Sequence, residues 1–290
     1  MTPSATEHGD KQGSPHRRWL GIDFSGNHLM WRPRCGRSNV WIADVHERKG
    51  QLVLHDLRRV QALPGEAVPF RRLAALLSGA SYLAAAIDAP FSVPAVHASE
   101  GGHQALLSLV AQMPCDGRPF PRASAFVQAV AGQAPPLSPP KPYRVTEAYW
   151  ISQRINVRST LWAGSRGGAP MTAACLRLLA QAARPVWPWS HATPGLIVEA
   201  FPAAQLQRWR LPFSQYDGNW KTAVETRETI LDGIAPRIAL GEFRPTAAGS
   251  ADALDAVVAA FAAVAVTRKA VGDPVAPLPA MTEGWIAVHA

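Results

Sequence analysis

Five carboxylates stand in surroundings that ordinary surface acids lack. Asp23 closes the apolar run Arg18-Trp-Leu-Gly-Ile-Asp23, and Asp88 follows a second apolar run, Tyr82 to Ile87. Glu199 sits inside the otherwise apolar Leu196-Ile-Val-Glu199-Ala-Phe201. Asp252 and Asp255 are three residues apart at the start of a helical pattern, so they share one face. Asp255 is the sharpest signal, being the only polar residue of fourteen from Ala253 to Val266. A helix that is apolar all round is buried. A lone carboxylate on it must meet a donor, a cation or a metal, or else take up a proton. Hard divalent ions such as Mg²⁺ or Mn²⁺ take oxygen ligands of this kind. Two such ions about 3.5–4 Å apart activate water and stabilise the leaving oxygen of a phosphodiester. Each acid also has a plainer reading. Asp255 fits a buried ion pair, and Asp252 fits a first-turn acid behind a Ser250 cap. Asp23 and Asp88 fit turn formers before Ser25-Gly26 and Pro90, and Glu199 fits a partner for one of many arginines.

The elements that must position these acids follow from hydrophobic period. Arg18 to Asp23 reads as a strand ending in the turn Phe24-Ser-Gly26. Ser38 to Glu47 and Gln51 to Val60 alternate apolar and polar residues around Arg48-Lys49-Gly50, which predicts a hairpin. Phe70 to Leu77 reads as a helix stopped by Gly79, and Tyr82 to Ile87 as a buried parallel strand. The order so far is β-β-β-α-β. A helix near Gln104 to Met113 then gives way to the proline-rich stretch Pro114 to Pro142, read as a long functional or flexible loop. Further helices are expected at Arg144 to Ile155, Thr172 to Ala183, Ala203 to Trp209, Lys221 to Ile234 and Asp252 to Thr267. Trp187-Pro-Trp189 reads as a rigid aromatic loop, and Leu196 to Phe201 as a strand ended by Pro202. There is no internal repeat.

Composition bounds the classes. The 290 residues are 48% hydrophobic and 17% charged, enough for a sizeable core. Met1 to Arg17 is polar and is expected to be a disordered tail, which leaves 18–290 as a single domain with an insertion at about 95–195. The balance of 29 basic against 21 acidic residues, +8 in all, favours a polyanion such as nucleic acid. Three scattered cysteines, Cys35, Cys115 and Cys175, argue against a disulfide framework or a cysteine zinc site. Neither a secretory signal nor a membrane-spanning apolar run is evident, so a cytoplasmic location without membrane contact is expected.

Other residues bear on substrate. Ser25 follows the Asp23 strand in a turn fit to meet a phosphate. Arg144 stands one turn from Glu147, either as a local ion pair or as a phosphate contact. Lys221 and Arg227 share a helix with Glu225 and Glu228, either as a solvated face or as phosphate ligands. Arg154, Arg158 and Arg166 interleave with Trp150 and Trp162, a pattern that combines charge and stacking or else anchors a loop. His97 and His103 have no ligand spacing and are expected to be exposed. Neither a Walker-type phosphate loop nor a dinucleotide glycine pattern is present.

The β-β-β-α-β order, with acids on the first and fourth strands and on a late helix, resembles the ribonuclease H-like fold. The run Asp252-Ala-Leu-Asp255-Ala resembles the final helix of Holliday-junction resolvases in that superfamily. Six segments together resemble the family catalogued as domain of unknown function 429 (DUF429). They are Gly21-Ile-Asp-Phe-Ser-Gly26, Ile87-Asp-Ala-Pro-Phe-Ser-Val-Pro94, Arg144-Val-Thr-Glu147, Val198-Glu-Ala-Phe-Pro-Ala203, Asp252-Ala-Leu-Asp-Ala256 and Glu283-Gly-Trp-Ile286. The resemblance implies a mixed five-stranded α/β sheet flanked by helices, with a helical and proline-rich insertion. It places Asp23, Asp88 and Asp255 at a metal centre, with Asp252 and Glu199 as further members. Asp88 stands where many ribonucleases of the superfamily carry Glu, a shorter arm that alters metal spacing.

The leading expectation is a Mg²⁺- or Mn²⁺-dependent nuclease or phosphodiesterase. In it Asp23, Asp88, Glu199 and Asp255 are catalytic, and Asp23, Asp88, Asp252 and Asp255 hold metal. Ser25, Arg144, Lys221 and Arg227 would meet substrate. Two alternatives remain open: an actin-like nucleotide-dependent phosphotransferase or ATPase, and a catalytically inert nucleic-acid-binding module.

Overall fold

In the computed structural model, residues 17–65, 68–98, 100–132, 143–164, 167–272 and 277–290 are described. The tail expected at Met1 to Arg17 lies outside them apart from Arg17, as do residues 133–142 of the proline-rich stretch and Arg166.

The strands are β1 (Arg18–Asp23), β2 (Trp41–Arg48), β3 (Gln51–Arg59), β4 (Ala84–Asp88), β5 (Leu196–Glu199) and β6 (Ile238–Ala239). They form one mixed sheet in the order β5-β4-β1-β2-β3-β6. β1, β2 and β3 are an antiparallel meander, and β4 and β5 extend it in parallel on the other side of β1. The β2–β3 hairpin turns at Lys49 and Gly50, both at positive φ (52° and 84°), the turn whose twist matches the flanking strands. The five strands expected become six. β6 pairs in parallel with β3 through two residues only, too short a run to show alternation.

The helices are α1 (Pro69–Ser78), α2 (Gly102–Gln112), α3 (Ala123–Ala131), α4 (Val145–Ser152), α5 (Ala169–Ala182), α6 (Pro202–Arg208), α7 (Lys221–Ile234), α8 (Arg244–Gly249), α9 (Ala251–Thr267) and α10 (Pro277–Glu283). Strand alternation sorts the core into two layers. Trp19, Ala43, Ala84, Ala86 and Val198 face α9 and residues of α6, α7 and α8. Leu20, Ile22, Ile42, Ala85, Ile87 and Ile197 face α1, α2, α3 and α5. Both sheet faces are therefore covered, which is why β1 and β4 read as nearly continuous apolar runs. α3 corrects the reading of Pro114 to Pro142 as loop throughout. Its sequence ASAFVQAVA forms helix readily, and Phe126 and Val127 bury against α5, but the prolines on either side disguise it. α4 is shorter than the helix expected to reach Ile155.

A close backbone contact joins β1 to α9. A Cβ built on Gly21 would fall 2.1 Å from the Ala256 carbonyl oxygen and 2.5 Å from the Ala260 nitrogen. Only a residue without a side chain lets α9 lie so close. At the far end of the helix, Trp19 Nε1 donates to Thr267 Oγ1 at 2.9 Å. At its start, Ser250 caps the helix by accepting from Ala253 N at 3.2 Å. Among the described residues no helix is long and apolar enough to cross a membrane.

Candidate active site

Asp23 and Asp88 are register partners at the ends of the adjacent parallel strands β1 and β4. Neighbouring strands lie about 4.8 Å apart, and partners in register point to the same face. That face is the one under α9, shared with Gly21 and Ala86. The carbonyl of Ala256 stands over Gly21, so the preceding residue, Asp255, is brought down beside the two strand ends. One contact between glycine and helix backbone thus sets the third carboxylate against the first two.

The electrostatics report the crowding. Burial, then Asp255, Asp88 and Asp252, hold the Asp23 carboxyl well above the ordinary range, against a hydrogen bond from the Phe24 amide. Burial, then Asp255 and Glu199, raise Asp88, while Arg158 lowers it. Asp255 is pushed up to about 7, first by burial and then by Asp252 and Asp217, against the Tyr216 hydroxyl. Burial raises Asp252, against Arg59 and Arg227. Asp23 is buried, whereas Asp88, Asp252 and Asp255 keep part of their surface in solvent. The cluster is therefore anionic, largely buried and partly open to solvent.

Tyr216 supports it. Its hydroxyl donates to Asp255 Oδ1 at 2.8 Å. Arg227, expected to meet substrate phosphate, is instead buried. Its guanidinium donates to the carbonyls of Tyr216, Gly218 and Ala248. It ties the Tyr216 loop to the chain just ahead of α9, and so positions the tyrosine that holds Asp255.

The donor set suits a hard cation. It is all carboxylate oxygen, it carries excess negative charge, and neither sulfur nor imidazole belongs to it. Among the described residues, however, no group of three or more His, Cys, Asp or Glu side chains stands as a ready cage for a metal ion. A cation here would draw on Asp23, Asp88 and Asp255, with Asp252 at the edge, and on water or substrate oxygens for the rest of its shell.

Glu199 does not join this cluster. It follows Ile197 on the alternate face of β5, the α5 side, where Arg144 holds it through two guanidinium nitrogens. Phe91 N also donates to it at 3.0 Å. Arg144 is wholly buried and donates to Glu147 Oε1 at 3.2 Å and to the Glu283 carbonyl at 3.2 Å. Burial works against its charge, yet Glu199 and Glu147 more than offset that and raise its pKa. Arg144 therefore meets carboxylates where a substrate phosphate was expected, and Glu199 is in the ion pair that was its plainer reading. Glu283 completes the hub by accepting from the amides of Ala95 and Val145, each at 2.6 Å. A cavity of about 270 Å³ runs from this hub to Asp88, with Arg158 also in its wall.

The remaining candidates fall as follows. Ser25 is buried at the end of the first loop, where its hydroxyl accepts from Asn27 N at 3.2 Å. Gly26 beside it abuts the start of α5, with Pro170 C only 2.4 Å from an added Cβ. Lys221 is exposed and pairs with Glu225 at 3.7 Å, one turn along α7, as a solvated face would. Trp150, read as a stacking surface, is buried beside Tyr149 and cannot present its ring. Trp162 and Arg158 do share a cavity, together with Asp217, while Arg154 is exposed. His103, expected to be exposed, is 8% exposed and stacks on Trp189 with ring centroids 3.7 Å apart.

Two residues that bear on the aspartate cluster are not placed there by sequence reasoning. Tyr216 lies in a loop with no spacing that points to Asp255, thirty-nine residues on. Arg158 was visible only as part of a basic and aromatic pattern, whereas its place is beside Asp88.

No curated protein and no solved structure matches the chain. Residues 21–281 match the family described as Protein of unknown function (DUF429), a span that takes in all four clustered aspartates, so the chain belongs to that family.

Proposed function

We propose that the chain is a divalent-metal-dependent phosphodiesterase acting on nucleic acid, built on a ribonuclease H-like sheet. One observation carries the reading: Asp23 and Asp88 are paired in register on adjacent parallel strands, burial and the charge of Asp255 raise both carboxyls, and Asp255 is itself raised by burial and by Asp252 and Asp217. A fold keeps such mutual repulsion where a positive charge is meant to relieve it. The meander β1-β2-β3 followed by parallel β4 and β5 agrees with a ribonuclease H-like core, β6 being an addition. The net charge of +8 suits a polyanionic substrate.

Bound Mg²⁺ or Mn²⁺ would supply Lewis-acid activation of water and charge neutralisation at the phosphate. The chain's own residues do the rest. Asp23, Asp88 and Asp255 present the oxygens, with Asp252 beside them. Tyr216 fixes the orientation of Asp255 by hydrogen bond, and Arg227 fixes Tyr216. Arg158, exposed and near Asp88, offers a guanidinium to a substrate phosphate. Glu199 and Arg144 belong to the supporting framework in this reading.

The test is cleavage of labelled DNA and RNA with Mg²⁺ or Mn²⁺, alongside thermal unfolding with and without the ions. The metal should raise the melting temperature and enable cutting, and Asp23→Asn should remove both effects. Cutting that survives chelation and that substitution overturns the reading. The inert nucleic-acid-binding module is the second reading, favoured by the lack of a ready metal cage among the described residues. Binding without any response to metal would select it.

A further inference from the structure

The largest cavity described lies away from the carboxylates and is opposite in charge. It has a volume of about 980 Å³ and is walled by the loop after β1, the start of α1, the loop after α2 and the middle of α5. Five arginines line it (Arg32, Arg71, Arg118, Arg122 and Arg177) against one acid, Asp116. Asp116 pairs with Arg122 at 3.1 Å. Arg177 donates to the carbonyls of Val110 and Ala111, neutral groups that leave its charge in place. Among the described residues the guanidiniums of Arg32, Arg71 and Arg118 make neither ion pair nor hydrogen bond. Their convergence is felt at His28 in the same wall, which burial and then Arg118, Arg32 and Arg122 push below its ordinary pKa.

Gathering like charges destabilises a fold unless a counter-charge arrives. Three donor forks without partners are built for phosphate, which they grip in bidentate fashion. The site is a concavity with walls, so it suits a strand that can lie inside it better than a flat membrane. It is also within reach of the carboxylates. Met171 of α5 walls the Asp88 cavity, while Arg177 and Gln181 of the same helix wall the groove. At 1.5 Å per residue these positions are about 9 and 15 Å further along the helix, a few nucleotide spacings.

We propose that this arginine groove binds the phosphodiester backbone of a nucleic-acid strand, as an anchoring site a few nucleotides from the aspartate cluster. The proposal deepens the phosphodiesterase reading, and rests on it only for what the anchored strand does next. The experiment therefore reads binding alone, in EDTA. Fluorescein-labelled single-stranded DNA of about 20 nucleotides is titrated with the full chain across a range of salt. The variant carries Arg32→Gln, Arg71→Gln and Arg118→Gln. Its control carries Arg48→Gln, Lys49→Gln and Lys269→Gln, which removes the same charge from exposed positions at the opposite end of the sheet.

The groove variant should lose at least tenfold in affinity. Its slope of log K against log salt should become shallower by about two, since each contact on a single strand contributes about 0.7. The control should stay within about twofold of the unmodified chain. Equal losses in both variants, or no binding by the unmodified chain at low salt, overturn the proposal. So does capture of phosphatidylserine–phosphatidylcholine vesicles with no DNA retained. A chain that binds through the groove but never cuts sinks the hydrolase reading alone. One that cuts with an unchanged salt slope sinks the groove alone.

Discussion

Asp255 illustrates what single residues cost this fold. Its carboxyl, pushed up to about 7, holds a proton that solvent above neutral pH withdraws. The group's contribution to stability is present below the ordinary aspartate range and is lost as pH rises through 7. Asp255→Asn should therefore raise the melting temperature of the metal-free chain at pH 8 by a few degrees, because the amide still accepts from Tyr216. It should also abolish any shift caused by Mg²⁺, and scanning calorimetry with and without the ion reads both effects. Tyr216→Phe should leave the fold intact while weakening Mg²⁺ binding severalfold, as calorimetric titration would show. His103 works in the opposite sense. Burial lowers it to about 4, so its neutral ring stabilises above pH 6.5, and that contribution is lost as pH falls toward 4. The loss is on the order of 3 kcal/mol, and His103→Gln should flatten urea-unfolding stability over that window. Asp255 was legible because it is the one polar residue in a run of fourteen. Tyr216, in an irregular loop, was not, because periodicity says nothing about where a loop side chain goes.

Elements carry a second set of consequences. α9 can lie this close to β1 only because Gly21 has no side chain, so Gly21→Ala should separate helix from strand and destabilise by about 3 kcal/mol or more. Gly36→Ala, with nothing within 4 Å of the added atom, is the matched control. Denaturant midpoints should fall for the first and hold for the second. The Arg144 hub joins α4 and β5 by ion pairs and α10 by hydrogen bonds. Arg144→Met leaves Glu147 and Glu199 buried and unpaired, at a cost of about 3–5 kcal/mol, and Arg144→Lys should rescue little because an ammonium cannot fork. Long or strongly patterned elements such as β1, β4 and α9 were readable from sequence. β6 was too short to alternate, and α3 was hidden between prolines. The pairing of Glu199 with Arg144 was out of reach for a related reason, since its face of β5 depends on register that the pattern alone leaves open.

For the molecule as a whole, the excess of positive charge was visible in the composition, but its address was not. Arg32, Arg71, Arg118, Arg122 and Arg177 come from four separate stretches and share a wall only after folding. The meander and the parallel pair were legible in outline, as were the aspartates at their ends, because apolar runs closed by acids are local signals. The meeting of those acids was not local. β1 and α9 lie more than two hundred residues apart, joined at Gly21–Ala256 and again at Trp19–Thr267. On a ribosome, the first of these partners emerges long before the second is translated. A nascent chain thus carries Asp23 and Asp88 through most of synthesis without Asp255. On the proposed phosphodiesterase reading, cleavage cannot begin until the late helix has left the exit tunnel and docked.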